Sequence, residues 1–157
     1  MPNNMKSTMM NTPLGVKTLH RFGARHFSTS RVGDYDGHQI HWRSYAEIDA
    51  SSARLANALT QLGIAPGDRV GTFMWNSTQH LEAYLAVPSL GAVLHTLNCR
   101  LSTEHIAYII NHAADRFLIL DARLIDGFLP VLPLIPDVEH VILSGGGDEA
   151  TALAPAT

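Results

Sequence analysis

Nine histidines and one cysteine are the side chains of this 157-residue chain with the clearest capacity for metal binding or nucleophilic chemistry. His38 and His41 stand three residues apart in a segment that predicts a strand, so their side chains are expected on opposite faces. His105 and His112 share one face of a predicted helix, but no third ligand is evident. Cys99 has no base beside it in the sequence. These residues therefore predict solvated or hydrogen-bonded histidines and a neutral thiol rather than a metal centre or a nucleophile.

Glycine-rich phosphate motifs are the second kind of chemistry to consider. The sequence contains no G-x-G-x-x-G after a strand, no G-x-x-x-x-G-K-[ST] and no G-x-S-x-G. The glycines at 145–147 follow a predicted strand, but Asp148 and Glu149 come next, and their charges would repel a phosphate. Trp75-Asn76-Ser77 ends another predicted strand at its carboxyl end, where α/β proteins place ligands. The alternative is that Asn76 or Ser77 caps the next helix. Residue chemistry alone thus predicts no catalytic constellation.

Strands and helices alternate after residue 68, which predicts βαβ units and a parallel sheet with flanking helices. The predicted strands are Arg69–Trp75, Val93–Leu97, Phe117–Leu120 and Val138–Leu143. The predicted helices are Thr78–Leu90, Ser102–Ala113 and residues 122–132, the last ended early by Pro130.

A helix and a hairpin are predicted ahead of this sheet. Leu14–Phe27 has an amphipathic pattern with apolar residues on one side and three basic residues on the other. Asp-Gly at 36–37 indicates a β-hairpin, and Ser44-Tyr45-Ala46-Glu47 is a capping box that opens a helix ending near Gly63. We therefore expect an α/β fold, with a disordered start at 1–13, one partial domain at 14–144 and a small-residue tail at 145–157.

Composition and charge exclude several classes of protein. The chain is 46% hydrophobic and 16% charged, and no apolar run approaches the ~20 residues of a membrane helix. A single cysteine excludes an internal disulfide and favours a reducing compartment. Residues 1–33 carry five basic residues and no acid, whereas residues 34–157 carry six basic and fourteen acidic residues. The acidic body argues against nucleic acid as a partner, and the basic start raises the question of a targeting peptide.

Several short segments between Ser44 and Leu101 carry a family resemblance through their order and spacing. They are Ser44-Tyr45-Ala46-Glu47-Ile48, Leu62-Gly63-Ile64-Ala65-Pro66-Gly67-Asp68-Arg69-Val70, Trp75-Asn76 and Val93-Leu94-His95-Thr96-Leu97-Asn98. Together they resemble the N-terminal region of AMP-forming acyl-CoA synthetases of the adenylate-forming superfamily. The last two segments look most like the fatty-acyl-CoA ligase branch. The resemblance covers about residues 12–144, with one departure at Cys99, where this branch has proline.

The resemblance implies a partial N-terminal domain of the adenylate-forming fold and, for a whole enzyme, a two-step reaction. A fatty acid or other carboxylic acid attacks ATP with Mg²⁺ to give acyl-AMP and pyrophosphate, and CoA then takes the acyl group. The family's phosphate loop, of the type T-S-G-T-T-G-x-P-K-G, and its catalytic lysine domain do not occur in these 157 residues. We therefore expect this chain to be inactive alone. We assign it no catalytic, cofactor-binding or metal-binding residue and expect no tight binding of ATP, Mg²⁺ or CoA.

Two other functions stay open at this point. One is a non-catalytic interaction module that binds a full-length homologue. The other is an unrelated small α/β nucleotide binder, and the absence of the nucleotide-binding motifs G-x-G-x-x-G and G-x-x-x-x-G-K-[ST] argues against it. The resemblance also implies a homodimer as one state of the protein. An isolated part of a parallel sheet leaves strand edges uncovered, which predicts poor solubility. The expected location is the cytoplasm, and the alternative is mitochondrial import through the basic N-terminus.

Overall fold

Residues 14–145 are described by the structure, a computed structural model of the chain. The predicted disordered start at 1–13 and most of the predicted tail, from residue 146 onward, lie outside the described residues.

A helix and a hairpin open the fold, as predicted. Helix α1 spans Val16–His26, and strands β1 (Arg31–Tyr35) and β2 (Ile40–Ser44) pair antiparallel. Gly37 takes a φ of 101° in the connecting turn, a conformation that glycine adopts at little cost. The hairpin predicted around Asp-Gly is therefore confirmed.

Helix α2 spans Tyr45–Gln61 and begins with the predicted capping box. The Ser44 hydroxyl accepts a hydrogen bond from the Glu47 amide at 3.2 Å, and the Glu47 carboxylate accepts one from the Ser44 amide at 2.7 Å. Gly63 follows the helix with a φ of 83°. These two signals fix both ends of the helix from local sequence.

Four parallel strands form the main sheet. They are β3 (Arg69–Phe73), β4 (Val93–Thr96), β5 (Phe117–Asp121) and β6 (His140–Ser144). Their order across the sheet is β4-β3-β5-β6, so β3 and β5 are central. The predicted α/β class and parallel sheet are confirmed, with strand bounds that differ from prediction by one or two residues.

Helices connect the strands. Helix α3 (Thr78–Ser89) contains Pro88 in its last turn, and helix α4 (Thr103–Ala113) begins after the predicted cap Ser102. The helix predicted over 122–132 is instead a 3₁₀ turn at Ala122–Leu124, one turn of helix α5 at Ile125–Phe128 and a second 3₁₀ turn at Leu132–Leu134. The α-helical part stops two residues before Pro130, because a proline cannot continue the helix.

Apolar side chains cover both faces of the sheet. One face packs against α4 and α5 through Phe73, Leu97, Ile106, Ile110, Leu118, Leu120 and Phe128. The opposite face packs against α2 and α3 through Leu59, Val70, Ala83, Val87, Phe117 and Ile119. Near-continuous apolar strands such as β5, where all five residues are buried, are typical of a sheet covered on both sides.

Helix α1 is only partly buried. None of its residues is fully buried, and its long apolar side chains Leu19 and Phe22 are 59% and 56% exposed. The residues on its inner side are His20, Gly23 and Ala24. The amphipathic pattern predicted the helix correctly, and the structure leaves the long apolar side chains of that helix largely exposed.

Candidate functional site

The carboxyl ends of β3 and β5 meet at the point where the chain direction across the sheet reverses. From β3 the chain passes through α3 to β4 on one side, whereas from β5 it continues to β6 on the other side. Connections that diverge from adjacent parallel strands leave a crevice between them, which is the usual ligand position in open α/β sheets. We call this place the β3–β5 crevice.

Trp75, Asn76 and Ser77 stand on the β3 side of the crevice. Trp75 is 42% exposed, and Asn76 is also exposed. The Ser77 hydroxyl accepts a hydrogen bond from the His80 amide at 3.2 Å and so caps α3. The structure therefore gives Ser77 the capping role and leaves Trp75 and Asn76 at the crevice.

Asp121 and Arg123 stand on the β5 side. The Asp121 carboxylate accepts hydrogen bonds from the Arg123 amide at 3.0 Å and from its guanidinium at 3.0 and 2.7 Å. Burial acts to raise the pKa of Asp121, but the bonds from Arg123 outweigh it and leave the pKa below its ordinary value. The carboxylate is thus ionised at neutral pH and already neutralises its arginine.

His80 lies beneath the crevice and was not singled out by the sequence. Its Nε2 is 2.9 Å from the Thr72 hydroxyl, and within residues 14–145 its buried Nδ1 has no hydrogen-bond partner. Burial lowers the pKa of His80, so the imidazole is neutral at pH 7. A histidine eight residues after a buried strand residue gives no signal in sequence, because the contact with Thr72 exists only once α3 has packed on the sheet.

Cys99 follows β4 and lies half-buried near the same edge. Its Sγ is 3.6 Å from the Met74 carbonyl oxygen. Burial raises the pKa of the Cys99 thiol above its ordinary value, so the thiol is protonated at neutral pH. Such a group is a poor nucleophile, which agrees with the neutral thiol expected from sequence.

The other candidate histidines lie apart from the crevice and from one another. His41 contacts Asp36 in the hairpin, His105 is near the capping hydroxyl of Ser102, and His112 stacks on Tyr108. Across the part of the chain that the structure describes, no three His, Cys, Asp or Glu side chains converge as metal ligands.

A partly buried hydrogen-bonded pair that the sequence did not indicate joins β4 to the residues before β5. The His95 Nδ1 lies 2.8 Å from Oδ2 of Asp115, whose side chain is fully buried. Burial raises the pKa of Asp115, while the imidazole acts in the opposite direction. The two residues are twenty apart in sequence, so only the parallel pairing of β3 with both neighbours brings them together.

Side chains at the β3–β5 crevice do not fit a nucleoside triphosphate. Such a ligand needs a row of backbone amides and free cations around its phosphates. Arg123 is bound by Asp121, so neither side chain offers a free positive charge to a phosphate. No step of ATP chemistry therefore follows from the described residues.

Solved structures define the class of protein. The chain superposes on a fatty acyl-CoA synthetase from Mycobacterium tuberculosis with a TM-score of 0.66 and 26% identity, covering 83% of this chain and 26% of that one. Coronafacic acid ligase from Pectobacterium brasiliense gives a TM-score of 0.79 at 20% identity, covering 88% of this chain and 27% of that one, a likeness of fold. The chain has the fold of the N-terminal region of adenylate-forming enzymes.

Sequence comparison gives the family. A profile described as AMP-binding enzyme matches residues 21–156. The chain is 41% identical over 150 residues to 3-methylmercaptopropionyl-CoA ligase from Ruegeria lacuscaerulensis and 39% identical over 142 residues to long-chain-fatty-acid–CoA ligase from Thermus thermophilus. This protein belongs to the AMP-binding enzyme family.

The matches cover most of this chain but little of its relatives. They span 92% and 90% of the chain and only 27% and 26% of the Ruegeria and Thermus enzymes. None of the helices in residues 14–145 has the length and hydrophobicity needed to cross a bilayer.

Proposed function

We propose that this chain supplies the N-terminal part of an AMP-forming fatty-acyl-CoA ligase. The reaction of the whole enzyme joins a carboxylic acid to CoA and converts ATP to AMP and pyrophosphate, with Mg²⁺ neutralising the phosphates. The observation that carries this proposal is the family match over residues 21–156, together with relatives that are named as CoA ligases of fatty acids and of methylmercaptopropionate. A fatty acid is the substrate class that these names favour.

Within such an enzyme the chain acts as half of a ligand cleft. Its sheet presents Trp75 and Asn76 at the β3–β5 crevice, with a neutral His80 behind them. Because Arg123 is already paired with Asp121, it does not supply a free cation for the phosphates.

The isolated 157-residue chain is proposed to be unable to adenylate a carboxylate. Its sequence has no phosphate loop of the T-S-G-T-T-G-x-P-K-G type. The arginine at the crevice, Arg123, is already paired with Asp121. ATP–pyrophosphate exchange with a panel of fatty acids tests this directly. Exchange above the level of a heat-denatured sample would contradict the proposal.

A chimera tests the positive half of the proposal. Residues 14–144 replace the matching segment of the Thermus long-chain ligase, with which this chain is 39% identical. We expect the chimera to form acyl-CoA from a long-chain fatty acid, ATP and CoA, and the Thermus protein without that segment to be inactive. A chimera that melts cooperatively but forms neither acyl-AMP nor acyl-CoA would contradict the assignment.

One observation favours a second function for the chain. In that function it is a non-catalytic module that binds a full-length homologue or a second copy of itself. The exposed side of α1 carries Val16, Leu19 and Phe22, which are 40–59% exposed, an apolar row that a partner would cover. Co-purification of the chain with a full-length relative separates the two functions. Charged substitutions at Leu19 and Phe22 would abolish binding through this row, and co-purification that survives them would exclude it.

We place the protein in the cytoplasm. Two of the basic residues of α1, Lys17 and Arg21, line a cavity of the folded domain, which supports a role for them in the mature fold rather than in a transit peptide. A fusion of the full chain to a fluorescent protein tests this, and an organellar signal would favour the import alternative.

A further inference from the structure

A cavity of about 280 Å³ lies between α1, α2 and α3, away from the β3–β5 crevice. Helix α1 contributes Lys17, His20 and Arg21, and α2 contributes Asp49 and Ser52 among others. The apolar part of its lining consists of Ala53, Ala56, Leu85, Ala86 and Leu90, and Asn57 and Ser89 add two polar side chains. The volume is close to the lower end of small-molecule sites.

Two buried polar atoms on the wall of this cavity lack aligned hydrogen bonds to any described residue. Ser52 is 3% exposed, and its Oγ has no hydrogen-bond partner within residues 14–145. The His20 Nε2 lies 2.8 Å from Oδ1 of Asp49 without forming an aligned hydrogen bond, so this contact is electrostatic. Buried polar groups are nearly always satisfied, and leaving a hydroxyl unpaired costs about 1–3 kcal/mol. A ligand that accepts from Ser52 would remove this cost.

The charge at the cavity mouth favours a negative ligand. Lys17 and Arg21 are exposed at the rim, one turn apart on α1, and neither has an ion-pair partner among residues 14–145. The single acid on the wall, Asp49, is next to His20. The lining therefore has a net positive charge from Lys17 and Arg21 against Asp49.

We propose that this cavity is a binding site for a small organic anion, a phosphate monoester or carboxylate with a short apolar body. The anionic group contacts Lys17 and Arg21 and accepts a hydrogen bond from Ser52. The apolar body lies on the alanine and leucine floor between α2 and α3, where contact with water is lost. A cation would be repelled by the rim, and an uncharged apolar molecule would leave Ser52 unsatisfied.

This site is separate from the proposed ligase chemistry. Its lining shares no residue with the β3–β5 crevice, and the sheet lies beneath the α2 and α3 layer that forms its floor. Loss of binding here therefore leaves the ligase proposal untouched, and the chimera experiment does not depend on it.

Titration of the full chain with butyl phosphate, inorganic phosphate and butylamine, by calorimetry and by amide chemical shifts, tests the proposal. We expect butyl phosphate to bind more tightly than inorganic phosphate, butylamine not to bind, and the shifts to centre on Ser52 and Ala56. Affinity should decrease with added salt because the rim charges are exposed. The proposal would be wrong if neither butyl phosphate nor inorganic phosphate bound, or if the chemical-shift changes were spread over the whole surface.

Matched variants distinguish a built site from general attraction to a basic helix. Lys17→Gln combined with Arg21→Gln should weaken butyl phosphate binding about tenfold, the combined effect of two exposed charge contacts. Arg25→Gln, on the same helix but outside the cavity lining, is the control and should leave affinity within error. Equal weakening by Arg25→Gln would show attraction to the helix surface only and refute the proposal.

Ser52→Ala supplies a readout that a structural role would not produce. If the hydroxyl serves the ligand, its removal weakens binding about tenfold, while the unfolding midpoint stays the same or rises because a buried unpaired group is gone. If the hydroxyl has a structural partner instead, the variant loses stability and keeps its affinity. That second pattern would exclude Ser52 as a ligand group and overturn the proposed mode of binding.

Discussion

Gly71 offers the sharpest test of how the central strand is packed. It lies in the middle of β3, pairs with His95 of β4 and Leu118 of β5, and is buried. A methyl group added there would lie 2.4 Å from Cδ2 of Leu118 and 2.9 Å from Oδ2 of Asp115. Both distances are too short for real contacts, so Gly71→Ala must displace a core leucine and the carboxylate that binds His95.

The expected loss of stability combines two costs. Overpacking a well-packed core costs about 1–3 kcal/mol. Shifting the buried Asp115 carboxylate away from its imidazole adds about 1–2 kcal/mol, since a buried group loses part of its hydrogen bonding. We therefore expect Gly71→Ala to lower the free energy of unfolding by about 2–5 kcal/mol, a large part of the ~5–15 kcal/mol that a typical domain has.

Urea unfolding followed by circular dichroism measures this loss, with Gly127→Ala as the matched control. Gly127 lies exposed in α5 with nothing within 4 Å of an added methyl group, so its replacement should be neutral or stabilising by about 0.5 kcal/mol. Adding Leu118→Val to Gly71→Ala removes the atom at 2.4 Å and should recover part of the loss. A Gly71→Ala variant as stable as the unmodified chain would refute the packing described for β3.

Three further predictions concern single contacts. Asp121→Asn should lower the free energy of unfolding by about 1 kcal/mol at pH 7. The difference from the unmodified chain should shrink as the pH falls below about 4, because a carboxylate whose pKa is lowered by folding stabilises the fold only above the pKa that it has in the unfolded chain. Urea unfolding at several pH values measures this difference. Ser44→Ala should cost about 1 kcal/mol through loss of the capping box, whereas Ser28→Ala at an exposed position should be neutral in the same assay. Asp34→Ala removes the acceptor that holds the Thr78 amide at 3.0 Å, so amide exchange at Thr78 should quicken, while Asp34→Asn should keep most of the protection.

Local signals in the sequence were sufficient for most of the elements. The capping box, Gly37, Gly63 and the cap at Ser102 act within a few residues, and each ends or begins an element where predicted. At α1 the pattern predicted the helix but not the exposure of its apolar side, because an amphipathic pattern does not show whether another layer covers that side. It was also incomplete at 122–132, where the segment forms single turns and the α-helical part ends at Phe128, two residues before Pro130.

The candidate site was less accessible to sequence analysis. Trp75 and Asn76 were found because they directly follow a buried strand, whereas His80 and the pair of His95 with Asp115 depend on contacts between separate elements. The hydroxyl of Ser52 gave no signal either, since it fits the apolar side of α2 and its lack of a partner exists only in three dimensions. Hydrophobic periodicity in the sequence cannot identify residues whose chemistry depends on contacts made by packing.

The sheet order has a consequence for how the chain folds during synthesis. The central strand β3 is made first, and its two neighbours β4 and β5 are complete only at Thr96 and Asp121. At ribosomal rates of about 5–20 residues per second, β3 waits roughly 1–5 s for β4 and about 2–10 s for β5. Until β4 is made, the backbone of β3 has no native strand partner, and its other edge stays unpaired until β5 is made. Gly71 at its centre lowers the intrinsic tendency of the strand to pair, so we expect the residue that packing requires in the folded sheet also to reduce premature association of the nascent chain.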